Sequence, residues 1–244
     1  MWQAYMTPRS LDQALQLLAE RQPHARIIAG GTDLVLEIER GDPSPMLLVD
    51  LSCLPDLDRI WLDERQWVHI GPLVTHNHVV GSPICRERAL PFAQACWSVG
   101  APQIRNRGTI AGNLATASPA NDTIPALYAL GAHIVLRSLR GQRTLDLKDF
   151  IKGVRKTALE PDELIEDITF PALAGNQAGV FLKYGLRRSQ AIAVANVAVV
   201  LTCEDDTIVA ARIALGSLAP TIIRAEAAEQ LLVGNLLTPD LIDR

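Results

Sequence analysis

The order of the apolar segments along the chain constrains its fold most. Up to about residue 170, strand-like and helix-like segments alternate, but three strand-like runs then follow one another: VFLKYGL, AIAVANVAVVLTCED and TIVAARIALGSL. A helical segment, RAEAAEQLLVGN, comes next. Runs of strands followed by a helix indicate a separate α+β unit. We therefore predict an α+β fold with two domains, residues 1–172 and residues 176–244, joined within PALAGNQ at 171–177.

Several segments of the first domain show a clear period. Ser10 precedes LDQALQLLAE, whose apolar residues recur at helical spacing, so we predict a capped helix over residues 11–20. RQWVHIGPL alternates as a strand of an antiparallel sheet does. The other predicted elements are the buried strands RIIAG and MLLVDLS, a helix over residues 89–100, a helix at TIPALYALGA and a strand at HIVLRS.

Residues 101–122, APQIRNRGTIAGNLATASPAND, are small and polar and show no amphipathic period. We therefore predict a long loop. Loops of this length inside a compact domain are usually functional. Arg105 and Arg107 flank Asn106 within it, and we leave open whether they contact a ligand, a partner or only solvent.

The composition excludes several classes of function. The chain has 244 residues, 48% of them apolar and 20% charged, with a formal net charge of −4 and both signs interspersed. Because no basic stripe is present, nucleic acid is not an expected partner. No apolar stretch reaches the roughly 20 residues that span a bilayer, and the first residues lack a signal-peptide pattern. We therefore expect a cytoplasmic protein without a membrane span.

Neither cysteines nor histidines are spaced as metal ligands usually are. Four cysteines without a CxxC motif are scattered along the chain: Cys53, Cys85, Cys96 and Cys203. Three histidines lie close together without a Cys, Asp or Glu at ligand spacing: His69, His76 and His78. We expect buried reduced thiols and a turn of polar histidines, and no metal held by this chain.

A strand that ends in two adjacent glycines, AGGTDL at residues 29–34, is the first stretch that carries chemistry. Successive backbone N–H groups around glycines form an anion-binding concavity, and glycine permits a phosphate to approach closely. The stretch matches neither GxGxxG nor GxxxxGK[ST]. A plain strand-to-helix turn therefore remains the alternative to a phosphate loop.

The second such stretch is TIAGNLATASPANDTIPAL at residues 109–127. Gly112 and Asn113 form another glycine turn, and small residues follow as far as Pro119. Asp122 precedes a helical segment, where its carboxylate either caps the helix or accepts hydrogen bonds from sugar hydroxyls. Two glycine turns on either side of a long interval are suited to holding one pyrophosphate together.

Three stretches, IIAGGTDLV, VGAPQIRNRGTIAGNLATASPANDTIPAL and FLKYGLRR, together resemble the FAD-binding (medium) subunit of the molybdenum hydroxylase family. That family includes the xanthine dehydrogenases and the carbon monoxide dehydrogenases. The resemblance extends over nearly the whole chain. It implies a two-part FAD-binding domain of the vanillyl-alcohol-oxidase type, split near residue 55, and a small α+β C-terminal domain. The chain ends sooner than its relatives, so we expect that domain to be truncated.

The resemblance also implies which residues bind the cofactor. The first glycine loop would wrap the FAD pyrophosphate, the second turn would support it from the other side, and the rest would contact the flavin or adenine. These residues are Ala29, Gly30, Gly31, Thr32, Asp33, Leu34, Thr109, Gly112, Asn113, Asp122, Ile165 and Lys183. One position departs from the family pattern. The second turn usually reads GGN, and this chain has Ala111 in place of the first glycine. Its methyl group would crowd the phosphate or change the backbone angle, at little cost if the residue keeps a negative φ.

The implied activity is that of an oxidoreductase subunit with FAD. In the family, a large partner holds the molybdenum cofactor and a small partner holds [2Fe–2S] clusters, from which electrons reach the FAD and then NAD, a quinone or oxygen. A dimer of heterotrimers is implied as well. We assign no catalytic acid or base to this chain. Two alternatives stay open: an assembly subunit that has lost FAD, and a stand-alone flavin oxidoreductase.

Overall fold

The first of three structural units is a small parallel sheet. The computed structural model describes residues 2–41, 46–187 and 190–243. Ser10 caps the first helix by accepting a hydrogen bond from the Gln13 N–H, as predicted. The strands pair in parallel in the order β1–β3–β2. The elements of this unit are β1 (Ala4–Met6), α1 (Leu11–Arg21), β2 (Ala25–Ile28), α2 (Leu34–Glu39) and β3 (Leu47–Asp50).

The second unit is a five-stranded antiparallel sheet with a group of short helices. Its strands follow the order β4–β5–β10–β6–β7, and the predicted antiparallel strand at Trp67–Ile70 is confirmed. The strands of this sheet are β4 (Ile60–Leu62), β5 (Trp67–Ile70), β6 (His133–Ser138), β7 (Gly141–Asp146) and β10 (Leu164–Pro171). A separate two-stranded sheet consists of β8 (Ile151–Gly153) and β9 (Lys156–Thr157). The helices are α3 (His76–Gly81), α4 (Pro83–Arg88), α5 (Leu90–Ser98), α6 (Pro102–Arg107), α7 (Ile110–Thr116), α8 (Thr123–Leu130) and α9 (Leu147–Phe150).

The third unit is a four-stranded sheet whose inner face is covered by α5 and α8. Phe181, Ala198 and Val200 of this sheet join the same hydrophobic cluster as the buried residues of the second unit. The α+β prediction is confirmed, with the addition that the last two units share one core. The elements are β11 (Gln177–Gly185), β12 (Ala193–Glu204), β13 (Thr207–Gly216), β14 (Ile223–Arg224), α10 (Glu226–Leu232) and α11 (Pro239–Ile242).

The prediction of a loop over residues 101–122 is wrong. Two short helices, α6 and α7, occupy most of this range. Pro102 stands at the first turn of α6, where its missing N–H costs nothing, and the Thr109 hydroxyl caps α7 by accepting from the Gly112 N–H. Helices of six or seven residues are too short to display an amphipathic period.

Of the two roles left open for Asp122, capping α8 with its side chain is not observed. Asp122 precedes the helix, but its carboxylate makes no capping hydrogen bond. Both of its oxygens face the C-terminal sheet instead, where Lys183 and Asn196 donate to them. Among the described residues, no helix is long and apolar enough to cross a membrane.

The predicted turn of polar histidines separates into three roles. His69 lies 2.6 Å from Asp167 through Nδ1, and His78 forms a capping box with Thr75 at the start of α3. His76, in contrast, is buried at 2% exposure, and its Nδ1 has no hydrogen-bond partner among the described residues. Burial, together with the nearby Arg105, lowers the pKa of His76 to about 4.

We predict that His76 makes folding stability depend on pH. Its pKa in the folded chain is below the ordinary value of about 6.5, so its contribution is complete above pH 6.5 and is lost as the pH falls towards 4. Between pH 7.5 and pH 5 the free energy of unfolding should fall by about 2 kcal/mol through this group. Urea denaturation of the wild type and of His76→Gln at both pH values measures the difference.

The exposed His24 provides the control, because His24→Gln removes an imidazole that the fold does not bury. The loss between pH 7.5 and pH 5 should persist in His24→Gln and shrink in His76→Gln. An equal loss in all three proteins would contradict the assignment to His76.

Candidate functional site

Two cavities lie on either side of α6 and share Ile104. One, of about 480 Å³, is bounded by the first glycine loop, the end of β3 and Arg107. The other, of about 340 Å³, is bounded by residues 99–101, Asn113, Asp122 and Lys183. We refer to these two neighbouring cavities together as the groove along α6. We call the first cavity the glycine-loop end and the second the lysine end.

The two adjacent glycines are needed for different reasons. A Cβ at Gly30 would lie 2.0 Å from the Arg107 carbonyl oxygen and 3.1 Å from Cα of Gly108, so the loop packs backbone to backbone against the α6–α7 turn. Gly31 has φ +72°, a left-handed conformation that costs other residues free energy, although a Cβ there would meet only ordinary contacts. Glycine is therefore needed at residue 30 so that the loop can pack against the α6–α7 turn. Glycine is needed at residue 31 so that the loop can adopt its left-handed conformation.

The first glycine loop carries a row of free backbone donors. Among the described residues, the N–H groups of residues 30–34 donate no hydrogen bond to the backbone or to a side chain. Ala29, Gly30, Gly31 and Thr32 line the glycine-loop end. Consecutive free N–H groups around a left-handed glycine form a concavity that favours an anion. Arg107, which also lines this cavity, adds positive charge.

A tyrosine–aspartate pair, which sequence analysis missed, also lines the glycine-loop end. The Tyr5 hydroxyl donates to Asp50 Oδ2 at 2.6 Å, and the Ser52 N–H donates to Oδ1 at 2.9 Å. Burial would raise the pKa of Asp50, but these hydrogen bonds and nearby Arg107 hold it below its ordinary value. The hydrogen bond to Asp50, with burial, raises the pKa of Tyr5 to about 12. A carboxylate acceptor therefore borders the same cavity as the N–H donors.

The second glycine turn is the first turn of α7. Thr109 is buried, and its hydroxyl accepts a hydrogen bond from the Gly112 N–H. Neither residue lines either of the two cavities. Asn113 does line the lysine end, and its side chain accepts a hydrogen bond from the Thr123 hydroxyl. Ala111 lies within the right-handed helix and has no positive φ, so its methyl group imposes no backbone strain.

The lysine end contains a buried ion pair. Lys183 Nζ lies 2.5 Å from Asp122 Oδ2 and also donates to the Ser98 carbonyl at 3.2 Å. The two side chains are 12% and 5% exposed, so Lys183 is not an ordinary surface lysine. Burial raises the pKa of Asp122, and the hydrogen bonds and charge of Lys183, with the hydrogen bond from Asn196, offset this only in part. One face of the pair borders the cavity.

The structure brings most of the predicted site residues to the groove, but not all of them. Leu34 is buried beneath the loop and Asp33 is exposed beside it, and neither lines a cavity. Ile165 is 5% exposed on β10 and belongs to the hydrophobic core. Tyr5 and Asp50 reach the groove only through long-range folding, and no local sequence motif marks them.

Comparison with known families gives two adjacent matches. The FAD binding domain in molybdopterin dehydrogenase matches residues 2–173. The CO dehydrogenase flavoprotein C-terminal domain matches residues 181–244.

Individual relatives agree with these matches. The nicotinate dehydrogenase FAD-subunit of Eubacterium barkeri is 34% identical over 244 residues, which cover 98% of this chain and 82% of the relative. The carbon monoxide dehydrogenase medium chain of Hydrogenophaga pseudoflava is 33% identical over 238 residues, with coverage of 98% and 82%.

Solved structures agree as well. A carbon monoxide dehydrogenase from Hydrogenophaga pseudoflava, described as lacking the Mo-pyranopterin moiety of the molybdenum cofactor, superposes with a TM-score of 0.93 at 34% identity. It covers 99% of this chain and 84% of its own. Quinoline 2-oxidoreductase from Pseudomonas putida 86 superposes with a TM-score of 0.90 at 30% identity, covering 99% and 82%. With the family domains matched in order over most of its length, this chain belongs to the FAD-binding medium subunits of the molybdenum hydroxylases and is an oxidoreductase subunit.

Proposed function

We propose that the groove along α6 holds the FAD of this subunit, with the pyrophosphate at the glycine-loop end. The observation that carries this proposal is the row of free N–H groups over residues 30–34 beside Arg107. A diphosphate needs several donors and positive charge, and this loop offers both. Gly30, Gly31 and Thr32 would donate through their backbones. The α6–α7 turn, fixed against Gly30, would support them from behind.

The residues at the two extremes of the groove fit the rest of the cofactor. Ionised Asp50, held by Tyr5 and Ser52, would accept hydrogen bonds from a hydroxyl or amino group. Asn113, Asp122 and Lys183 would contact the other extreme. When bound, FAD supplies the redox chemistry, and a lysine ammonium near the flavin stabilises negative charge on the reduced ring. The chain's own contribution is binding, orientation and electrostatic tuning.

We infer that the subunit transfers electrons within a larger complex. It would take them from [2Fe–2S] clusters of a small partner subunit and pass them to an acceptor such as NAD, while a large partner subunit holds the molybdenum cofactor. A dimer of such heterotrimers is the assembly we propose. The four cysteines are all unpaired thiols in the structure, which favours the reducing cytoplasm as its location. Cys85 and Cys96 are buried, but the expectation of buried thiols is wrong for Cys53, which is exposed, and for Cys203, which is half-buried.

Two alternatives make different predictions about isolated material. An assembly subunit would be isolated without FAD, and the free N–H groups of residues 30–34 would then bind no phosphate. A stand-alone flavin oxidoreductase would turn over a substrate without partner subunits. The geometry favours the electron-transfer subunit, because the groove offers phosphate donors and charge tuning.

We predict that the complex purified from its natural host contains one FAD per copy of this chain. Denaturation should release the flavin, and chromatography with absorbance should identify it as FAD. The absence of flavin from the intact complex would overturn the proposal and leave the assembly subunit as the better account.

We predict that Gly31→Ala weakens FAD binding by about tenfold. A left-handed conformation costs an alanine roughly 1–2 kcal/mol, so the loop would relax and misdirect its donors. Gly234→Ala is the matched control, since Gly234 also has positive φ (+83°) but lines neither cavity. Titration of the apoprotein with FAD, followed by flavin fluorescence, measures both variants. Equal affinities in the two variants would contradict the role of the loop.

We predict that Lys183→Met destabilises the chain by about 3 kcal/mol, because it leaves the Asp122 carboxylate buried without its ion partner. The double variant Lys183→Met/Asp122→Asn should recover much of that stability but not the affinity for FAD. Urea denaturation and FAD titration separate the two effects. The exposed pair Arg59–Asp56 serves as the control, and Arg59→Met should change stability by less than about 1 kcal/mol.

A further inference from the structure

Asn196 is a buried polar side chain that the proposed function does not yet use. It is 3% exposed on β12, and its Nδ2 donates to Asp122 Oδ1 at 3.0 Å. Lys183 holds the other oxygen of the same carboxylate. Asp122 is thus fixed from two directions, and both donors come from the C-terminal sheet. Burying an amide group is costly unless its hydrogen bonds are made, so this placement requires a reason.

Lys183, Asn196 and Gly216 form one row across three neighbouring strands. Lys183 of β11 pairs directly with Asn196 of β12, and Asn196 pairs directly with Gly216 of β13. A Cβ at Gly216 would lie 2.1 Å from Asn196 Oδ1 and 2.7 Å from Pro125 Cγ. The glycine therefore leaves the space in which the Asn196 carboxamide lies against the start of α8. In this row, Gly216 leaves room for the Asn196 side chain that contacts Asp122, and Lys183 supplies the opposite charge.

The two contacts on Asp122 differ in what they provide. Lys183 supplies charge on a flexible side chain, whereas the short Asn196 side chain supplies direction. Without the Asn196 donor, Asp122 Oδ1 loses its hydrogen bond and the carboxylate is held by Lys183 alone. The carboxylate can then shift, and the ammonium, otherwise held only by the Ser98 carbonyl, shifts with it. The position of that ammonium at the lysine end therefore depends on Asn196.

We propose that Asn196 is a positioning residue, which orients Asp122 so that Lys183 presents its ammonium to the flavin end of the cofactor. This inference rests on the proposed function, since it needs a flavin at the lysine end. It assigns the C-terminal sheet a direct part in tuning the cofactor.

The experiment compares Asn196→Ala, Asn196→Ser and wild type, each as the full chain titrated with oxidised and with reduced FAD. Asn196→Ala should weaken binding of oxidised FAD by about tenfold, because the Asp122 and Lys183 side chains that would contact the cofactor are no longer held in place from β12. Binding of reduced FAD should weaken by a further tenfold, which lowers the midpoint potential of the bound flavin by about 30 mV for a two-electron couple. Asn196→Ser keeps a hydroxyl donor and should restore part of both effects.

Val200→Ala is the matched control for lost packing. Val200 is buried at 4% exposure on the same strand and contacts the core instead of Asp122. It should lower stability without changing the midpoint potential. A purely structural role for Asn196 would make Asn196→Ala behave as Val200→Ala does, and that result would overturn the inference.

Asn196→Asp keeps the volume and provides a second test if Asn196→Ala does not fold. Near pH 5 the introduced carboxyl group is protonated and donates to Asp122 in place of the amide. Towards pH 8 it ionises, and the two carboxylates repel each other. The titratable groups that face Asp122 are Lys183 of β11 and Cys96 of α5. FAD affinity of this variant should therefore fall at least tenfold between pH 5 and pH 8, a step that wild type lacks.

The outcomes separate this inference from the proposed function. If wild type binds no FAD, the proposed function fails and the inference fails with it. If wild type binds FAD and every Asn196 variant matches its affinity, potential and pH profile, only the inference is overturned. A shifted potential in Asn196→Ala with partial recovery in Asn196→Ser supports both.

Discussion

The last two units and the lysine end of the groove depend on a layer of two helices, α5 and α8, between two sheets. Their buried faces supply the core that the five-stranded and the C-terminal sheets share. The carboxyl end of α5 and the amino end of α8 also meet at one point, where the Ser98 carbonyl accepts from Lys183 and Asp122 accepts from the same ammonium. Helix carbonyl ends favour cations and helix amino ends favour anions, so this ion pair is compatible with both helix dipoles. The lysine end of the groove therefore lies where the two helices end.

Sequence periodicity predicted the elements that bury one face only. The helix capped by Ser10 and the alternating strand Trp67–Ile70 are examples, and the succession of three strands indicated the C-terminal sheet. Periodicity failed at α6 and α7, because such short helices display fewer than two full turns. Their termini were nevertheless marked, by Pro102 at the first turn and by the Thr109 cap. Local end signals are therefore more informative than period in segments of this kind.

For the site, sequence reasoning located residues but not always their physical role. The glycines at residues 30 and 31 were expected to face a phosphate. The structure gives a different reason for glycine at residue 30, because any side chain there would collide with the Arg107 carbonyl. A helix cap was one of two roles that the sequence left open for Asp122, whose carboxylate instead accepts hydrogen bonds from a sheet that follows much later in the chain. Tyr5 and Asp50 meet across two parallel strands. Each of these contacts joins distant parts of the chain, and no local pattern can encode them.

The shared core also limits how this protein can be divided. Removing residues 177–243 would expose the apolar faces of α5 and α8 that now cover the C-terminal sheet, and it would leave Asp122 as a carboxylate in an apolar setting without counter-charge. The C-terminal sheet is thus not a separable module, because the residues before it depend on it for burial of an apolar surface and for a counter-charge. Proteolysis or truncation near residue 177 is therefore expected to unfold the helix layer as well as the sheet that it covers.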